Sequence, residues 1–139
     1  MIKIRPYKNS DEEAIIKLWR QVFPAAPAHN DPRADIRAKL DIQPELFFVA
    51  NVGDKIVGSA MSGFDGHRGW VYYVAVHPDF RRQGIGSALM KHVETALGEI
   101  GCPKLNLQIR ADNAQVQAFY ESMGYCIEDR ISMGKRLGE

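Results

Sequence analysis

Two arginines and two glycines crowd into the run Arg81-Arg82-Gln83-Gly84-Ile85-Gly86-Ser87, directly after a β-prone stretch and directly before a helical apolar stripe. A helix that starts there leaves its first N–H groups unpaired at the positive end of its dipole, which suits a phosphate. Glycine at 84 and 86 removes the side chains that would hold a pyrophosphate away from those amides, and Arg81 and Arg82 add cationic donors beside the turn. The plain alternative is a tight strand-to-helix connection with no ligand. Tyr120, whose phenol is neutral at pH 7 and still able to donate, falls with Val116 and Met123 at helical spacing, which reads as core packing. Asp65 and His67, in the polar turn Asp65-Gly66-His67-Arg68-Gly69, are ionisable groups near the start of the β-prone stretch, and a solvated turn accounts for them equally well.

Other chemistries find less support. A Walker A loop needs Gly-Lys-Ser/Thr, whereas Ser87 follows Gly86 with no lysine, and a dinucleotide fingerprint wants a third small residue where Leu89 stands. His29, His67, His77 and His92 lie too far apart for a helical metal site, so no metal is expected. Cys102 and Cys126 form neither a C-x-x-C pair nor a disulfide framework. Trp19, Phe23 and Trp70 are candidates to line a pocket, but aromatic residues at these spacings more often pack in a core.

The elements that position these groups follow from periodicity. Ile2 and Ile4 suggest a first strand, and Ser10-Asp11-Glu12-Glu13 reads as a capping box opening a helix whose apolar face is Ile15, Ile16, Leu18, Trp19, Val22 and Phe23. Residues 24–30 have no regular period and read as a loop. Asp31-Pro32 then looks like an N-cap with proline at the first helical position. Leu46–Ala50 and Ile56–Met61 predict two strands joined through Val52-Gly53-Asp54-Lys55 as a hairpin. Trp70–Val76 is apolar on both faces, as in a central strand covered on each side. From Ile85 through Leu89, Val93, Ala96, Leu97 and Ile100 runs the longest helical stripe, closed by Gly101. Lys104–Ile109 reads as a further strand, Ala114–Met123 as a helix stopped at Gly124, and Ile127 with Ile131–Leu137 as the last strands. The order is mixed α/β throughout.

Length and charge set the outer bounds. A chain of 139 residues, 45% hydrophobic and 25% charged, fits a single domain, residues 1–139, that needs no metal or disulfide to hold its core. A formal charge of +1, with no basic stripe longer than Arg81-Arg82, argues against nucleic acid or an anionic membrane as partner. The start Met1-Ile2-Lys3-Ile4-Arg5-Pro6 lacks the apolar run of a signal peptide, and no segment approaches a membrane span, so a soluble cytoplasmic protein is expected.

The pattern Arg81-Arg82-Gln83-Gly84-Ile85-Gly86 resembles the pyrophosphate loop of the GNAT superfamily of acyl-CoA-dependent N-acyltransferases, Gln/Arg-x-x-Gly-x-Gly/Ala. Val74-Ala75-Val76-His77-Pro78-Asp79-Phe80 is similar to the end of that family's fourth strand. Asn113 followed by Ala118-Phe119-Tyr120-Glu121-Ser122-Met123-Gly124-Tyr125 resembles its second signature. The resemblance covers the chain, and its small stand-alone form is similar to bacterial members such as the ribosomal-protein-alanine N-acetyltransferases. It implies a mostly antiparallel twisted sheet flanked by helices, with a splayed cleft between the fourth and fifth strands. It implies acetyl-CoA as co-substrate, its pyrophosphate on the amides of Arg82 to Gly86, flanked by Arg81 and Ser87. It places the pantetheine arm on the backbone of Val74 and Val76, with Asn113 helping to position the cofactor and Tyr120 donating to the departing thiolate. The implied reaction is direct attack by a primary amine of a protein or peptide N-terminus or of a small molecule, and the implied assembly is a monomer or homodimer. The acceptor would be read by residues 24–36 and 64–70, with Asn30, Asp31, Asp65 and His67 as candidates, because a carboxylate at the mouth favours a cationic amine. One departure stands out. Trp70 and Gln108 occupy positions where the family often carries a glutamate base, and neither accepts a proton usefully. An acyl-CoA-binding module without turnover, or an interaction protein that keeps only the fold, are the competing readings.

Overall fold

Ile2–Pro6 (β1), Phe47–Val52 (β2), Lys55–Phe64 (β3) and Gly69–Val76 (β4) pair antiparallel in the order in which they occur along the chain. Leu105–Asn106 (β5) joins β4 in parallel and completes a mixed five-stranded sheet. The computed structural model describes residues 1–23 and 31–138. They fall into two compact units, Met1–Leu107 and Gln108–Glu139. The expected loop at 24–30 and the candidate Asn30 lie outside the described residues.

In the first unit, helices α1 (Glu12–Val22), α2 (Pro32–Leu40) and α3 (Ile85–Glu99) cover the sheet. Alternation along the strands decides what each face meets. Phe47, Val49, Met61 and Ala75 join Ile15, Ile16, Leu18, Trp19 and Ile36 in one buried cluster under α1 and α2. On the opposite face the ring of Phe48 meets His92 of α3 edge-on at 4.5 Å. A Cβ added at Gly58 would lie 3.0 Å from Leu89 and 3.1 Å from both Ile85 and the Ala75 carbonyl, so α3 seats directly on the backbone of β3. The strands and helices therefore match the expected architecture, a mostly antiparallel sheet flanked by helices.

The start of α1 differs from the expected capping box. A short 3-10 turn, Asn9–Asp11, precedes it, and the organising carboxylate is Asp11 rather than the side chain of Ser10. Asp11 is buried, accepts from the Lys8 N–H at 3.0 Å and takes both Arg5 nitrogens at 2.8 and 2.9 Å. Burial alone would raise its pKa, but the Arg5 guanidinium and the Lys8 N–H outweigh it and hold the carboxyl below its ordinary value. Charge also fastens α2 to α1, with Arg33 reaching Glu12 and Glu13 at 2.5 Å each and Arg37 reaching Glu12 at 3.4 Å.

The later strands are shorter than their sequence suggests. Of Lys104–Ile109 only Leu105–Asn106 is ladder-paired, opposite Gly69 and Trp70. The second unit carries one regular element, α4 (Ala114–Ser122), and the strands expected from Ile127 and from Ile131–Leu137 are not formed. Alternation makes a segment able to lie in a sheet but does not supply the neighbour whose N–H and C=O groups complete it.

Candidate functional site

On the side facing β5, β4 is paired only at Gly69 and Trp70, and among the described residues no strand accompanies it from Val71 to Val76. A strand with one side open must satisfy its backbone groups through water or a ligand. Which groups face that side is fixed by two hydrogen bonds. The Gly69 N–H donates to the Lys104 carbonyl, toward β5, whereas the His77 N–H donates to the Val57 carbonyl, toward β3, both at 2.8 Å. These residues are an even number of positions apart and in a regular strand would point the same way. An extra residue between them reverses the alternation, and the register locates it: Ser59 pairs with Ala75 and Met61 with Tyr72, leaving Tyr73 and Val74 opposite Ala60. Tyr73 carries the distortion with φ at 53°. Beyond the bulge Ala75 and His77 face β3, which turns the backbone groups of Val74 and Val76 to the open side.

The chain then passes directly into the glycine turn. His77 accepts from the Asp79 N–H at 3.1 Å and caps the 3-10 turn Pro78–Phe80. Lys55 stands 5.3 Å over the Phe80 ring and holds that turn to the start of β3. Arg82 and Gly84 both adopt positive φ, 63° and 78°, and α3 starts at Ile85 with no side chain capping its N-terminus. The other helices that start from a loop are capped: Asp31 accepts from the Arg33 N–H at the head of α2, and Asn113 from the Val116 N–H at the head of α4, each at 3.1 Å. The first amides of α3 are left for an external acceptor. Arg81, Arg82, Gln83 and Gly84 are exposed beside them, and neither arginine is ion-paired among the described residues.

The profile of the Acetyltransferase (GNAT) family matches residues 13–125. The chain belongs to the GNAT acetyltransferase family. A protein named acetyltransferase from Yersinia enterocolitica is 48% identical over 136 residues, 98% of this chain and 96% of that one. The ribosomal-protein-S18-alanine N-acetyltransferase of Escherichia coli superposes with a TM-score of 0.75 at 28% identity, over 89% of this chain and 77% of that one. An aminoglycoside N-acetyltransferase solved with CoA shares the fold, with a TM-score of 0.80 at 19% identity over 99% and 96% of the two chains. The protein is thus a GNAT-fold acetyltransferase, and the open edge of β4 is the splayed region the resemblance implied.

The remaining candidates of this acetyltransferase are spread out. Val74, Val76 and Arg81 to Ser87 lie on one continuous stretch of the first unit. Asp65 and His67 lie in the turn at the other end of β4. Asp65 there accepts from the N–H groups of Arg68 and His67 at 2.8 and 2.7 Å, which hold its carboxyl below the ordinary range. Asp31 is exposed and caps α2. Tyr120, in α4 of the second unit, is 6% exposed, with Phe119 and Tyr125 edge-on at 4.9 and 5.6 Å. Burial pushes its phenol up to about 12, so it stays protonated near neutrality. In that same unit Gln108 donates to the Ser132 hydroxyl at 2.5 Å. Among the described residues no group of three or more His, Cys, Asp or Glu is placed to hold a metal ion, and no helix is long and apolar enough to cross a membrane.

Sequence reasoning missed the residues around the bulge. The Tyr73 ring stacks on Trp19 at 3.8 Å and meets Phe23 edge-on at 5.8 Å, and its hydroxyl donates to Asp35 of α2 at 2.5 Å. Burial and then Asp35 drive that phenol well above its ordinary range. The one signal available was the pair Tyr72-Tyr73 inside an otherwise aliphatic strand.

Proposed function

We propose that this acetyltransferase moves an acetyl group from acetyl-CoA to a primary amine, of a protein or peptide N-terminus or of a small molecule, by direct attack. The observation that carries the reading is the unbroken path from the open edge of β4 into the uncapped start of α3. Such a path offers backbone groups to an amide-bearing arm and, at its end, N–H groups and the guanidiniums of Arg81 and Arg82 to a diphosphate, which together are the features of acetyl-CoA. Val74 and Val76 would hold the pantetheine arm. The amides of Arg82 to Gly86, with Arg81, Gln83 and Ser87 around them, would hold the pyrophosphate, and Asn113 would help place the cofactor. The family match runs across Leu107, which supports treating residues 1–139 as one functional domain.

Acetyl-CoA supplies an activated thioester, and the residues do the rest. Tyr120, kept neutral by burial, serves as hydrogen-bond donor to the sulfur as charge develops there. An acceptor amine must lose a proton before or during attack. Trp70 and Gln108 cannot take it, which leaves Asp65 and His67, directly or through water, as the bases of that segment, and the two N–H bonds that lower the Asp65 carboxyl favour His67. A covalent relay through cysteine finds no support, since Cys102 and Cys126 each direct their thiol to a backbone carbonyl, of Lys104 and of Gly124.

The test is turnover of acetyl-CoA against a panel of peptide N-termini, polyamines and amino acids, with the acetylated product detected by mass. Product from at least one amine is expected. CoA binding with no product from any amine would leave a binding module, and no CoA binding would leave an interaction protein.

A further inference from the structure

We propose that Ser59 is a positioning residue for acetyl-CoA: its hydroxyl locks the Tyr73 carbonyl and thereby determines which backbone groups of β4 face the cofactor. The inference rests on the reading of the β4 edge given above and adds to it the residue that sets the edge.

A tyrosine at φ 53° stands in the left-handed region, which is strained for a non-glycine residue and persists only where its surroundings enforce it. Beside the hydroxyl bond to Asp35 and the edge contact with Phe23, three contacts through Ser59 and Trp19 enforce it. The Ser59 hydroxyl donates to the Tyr73 carbonyl at 2.7 Å, and the same oxygen accepts from the Trp19 indole N–H at 2.8 Å. The third is the stacking of the Trp19 and Tyr73 rings, 8° from parallel. Ser59 and Trp19 are 0% and 1% exposed, so water cannot replace either partner. The relay runs from α1 through β3 to the bulge, and each polar atom in it is used.

The consequence is one of alternation. With the bulge in place, Val74 and Val76 present their N–H and C=O groups to the open side. Without it, Tyr73 and Ala75 would present theirs and every later group would point toward the wrong neighbour. Replacing Ser59 by alanine strips the Tyr73 carbonyl of its donor and leaves the Trp19 N–H buried and bare, so the lock is lost from both ends. β3 contains a matched control. Ser62 is 1% exposed and its hydroxyl donates to the Leu46 carbonyl at 2.7 Å, the same kind of buried bond away from the bulge.

The experiment measures CoA affinity by calorimetry, and kcat at saturating acetyl-CoA, for the wild type, Ser59→Ala and Ser62→Ala. Ser59→Ala is expected to weaken CoA binding about tenfold with kcat within about twofold of wild type. Ser62→Ala should lose comparable thermal stability and keep its CoA affinity. Amide resonances of Val74 and Val76 should move in the first variant and not in the second. If Ser59→Ala does not fold, Ser59→Cys fills the same space with a weaker donor, and a several-fold loss of affinity is expected from it. A folded Ser59 variant that binds CoA as wild type does, or equal losses in Ser59→Ala and Ser62→Ala, would overturn the inference while leaving the acetyl-CoA reading intact. Failure of the wild type to bind CoA would overturn both.

Discussion

Gly84 separates two effects that most substitutions in a binding loop confound. Its φ of 78° lies in the left-handed region, and a Cβ added there would meet no atom of the protein within 4 Å. Any loss of stability on substitution is therefore conformational. Alanine at such a position costs about 1–2 kcal/mol, whereas asparagine, which tolerates that region, costs clearly less. Both add a Cβ to the turn that leads into the uncapped amides of α3, where the pyrophosphate is proposed to sit. Urea denaturation should then rank Gly84→Asn close to wild type and Gly84→Ala below it. CoA affinity by calorimetry should fall in both variants by tenfold or more, ~1.4 kcal/mol, because the obstruction does not depend on strain. If Gly84→Asn folds and binds CoA as tightly as wild type, the pyrophosphate does not lie against this turn. If affinity instead follows stability through the series, the loop acts through its conformation alone and the proposed contact is wrong.

Tyr120→Phe keeps the buried ring and removes the donor, so kcat should drop ~10²- to 10⁴-fold with CoA affinity and Tm nearly unchanged; normal turnover would assign the residue to packing. Asp11→Asn should destabilise the protein by about 1.5–3 kcal/mol at pH 7, since it removes the charge that Arg5 grips with two nitrogens. The Asp11 carboxyl is depressed in the folded state, so its contribution is present above the ordinary value of 3.8 and is lost as pH falls through the lower folded one. The gap between variant and wild type should accordingly close only in acid, and a gap that is constant down to pH 2 would exclude the ion pair as its origin. Asp31→Ala should cost about 1 kcal/mol through the lost cap on α2, and comparing its acceptor KM with wild type decides whether the carboxylate also attracts the amine: an unchanged KM leaves it a cap only.

What the sequence disclosed, and what it withheld, divides along the range of the interactions. The start of α3, its glycine turn and the cap at Asp31 depend on residues a few positions apart, and all were legible. The cap expected from Ser10 gives way to a 3-10 turn organised by Asp11, which Arg5 on the preceding strand grips. Lys104–Ile109 has a strand's composition, yet its pairing stops at Asn106, since β4 leaves the ladder after Trp70. The bulge could not be read at all. It depends on Ser59, forty positions from Trp19, and no local pattern marks a serine whose hydroxyl is shared by an indole and a carbonyl. The family resemblance marked the carboxylate missing at Trp70 and Gln108, and the two N–H bonds that lower Asp65 favour His67 of the remaining pair.

The bulge has a second effect, on how the protein behaves when no ligand is present. A straight unpaired edge is a template on which another chain can add a strand, and proteins that expose one are prone to associate through it. Past Trp70 this edge is not straight. The extra residue at Tyr73 breaks the even spacing of donors and acceptors and increases the local twist, and Pro78, which has no N–H, follows soon after. A strand from a neighbouring molecule would find its hydrogen bonds in register on one side of the kink and out of register on the other. A flexible chain with a few amides, such as a pantetheine arm, is not held to a strand's repeat and can use the short segment beyond the kink. The edge can thus stay open to a small ligand while being closed to aggregation.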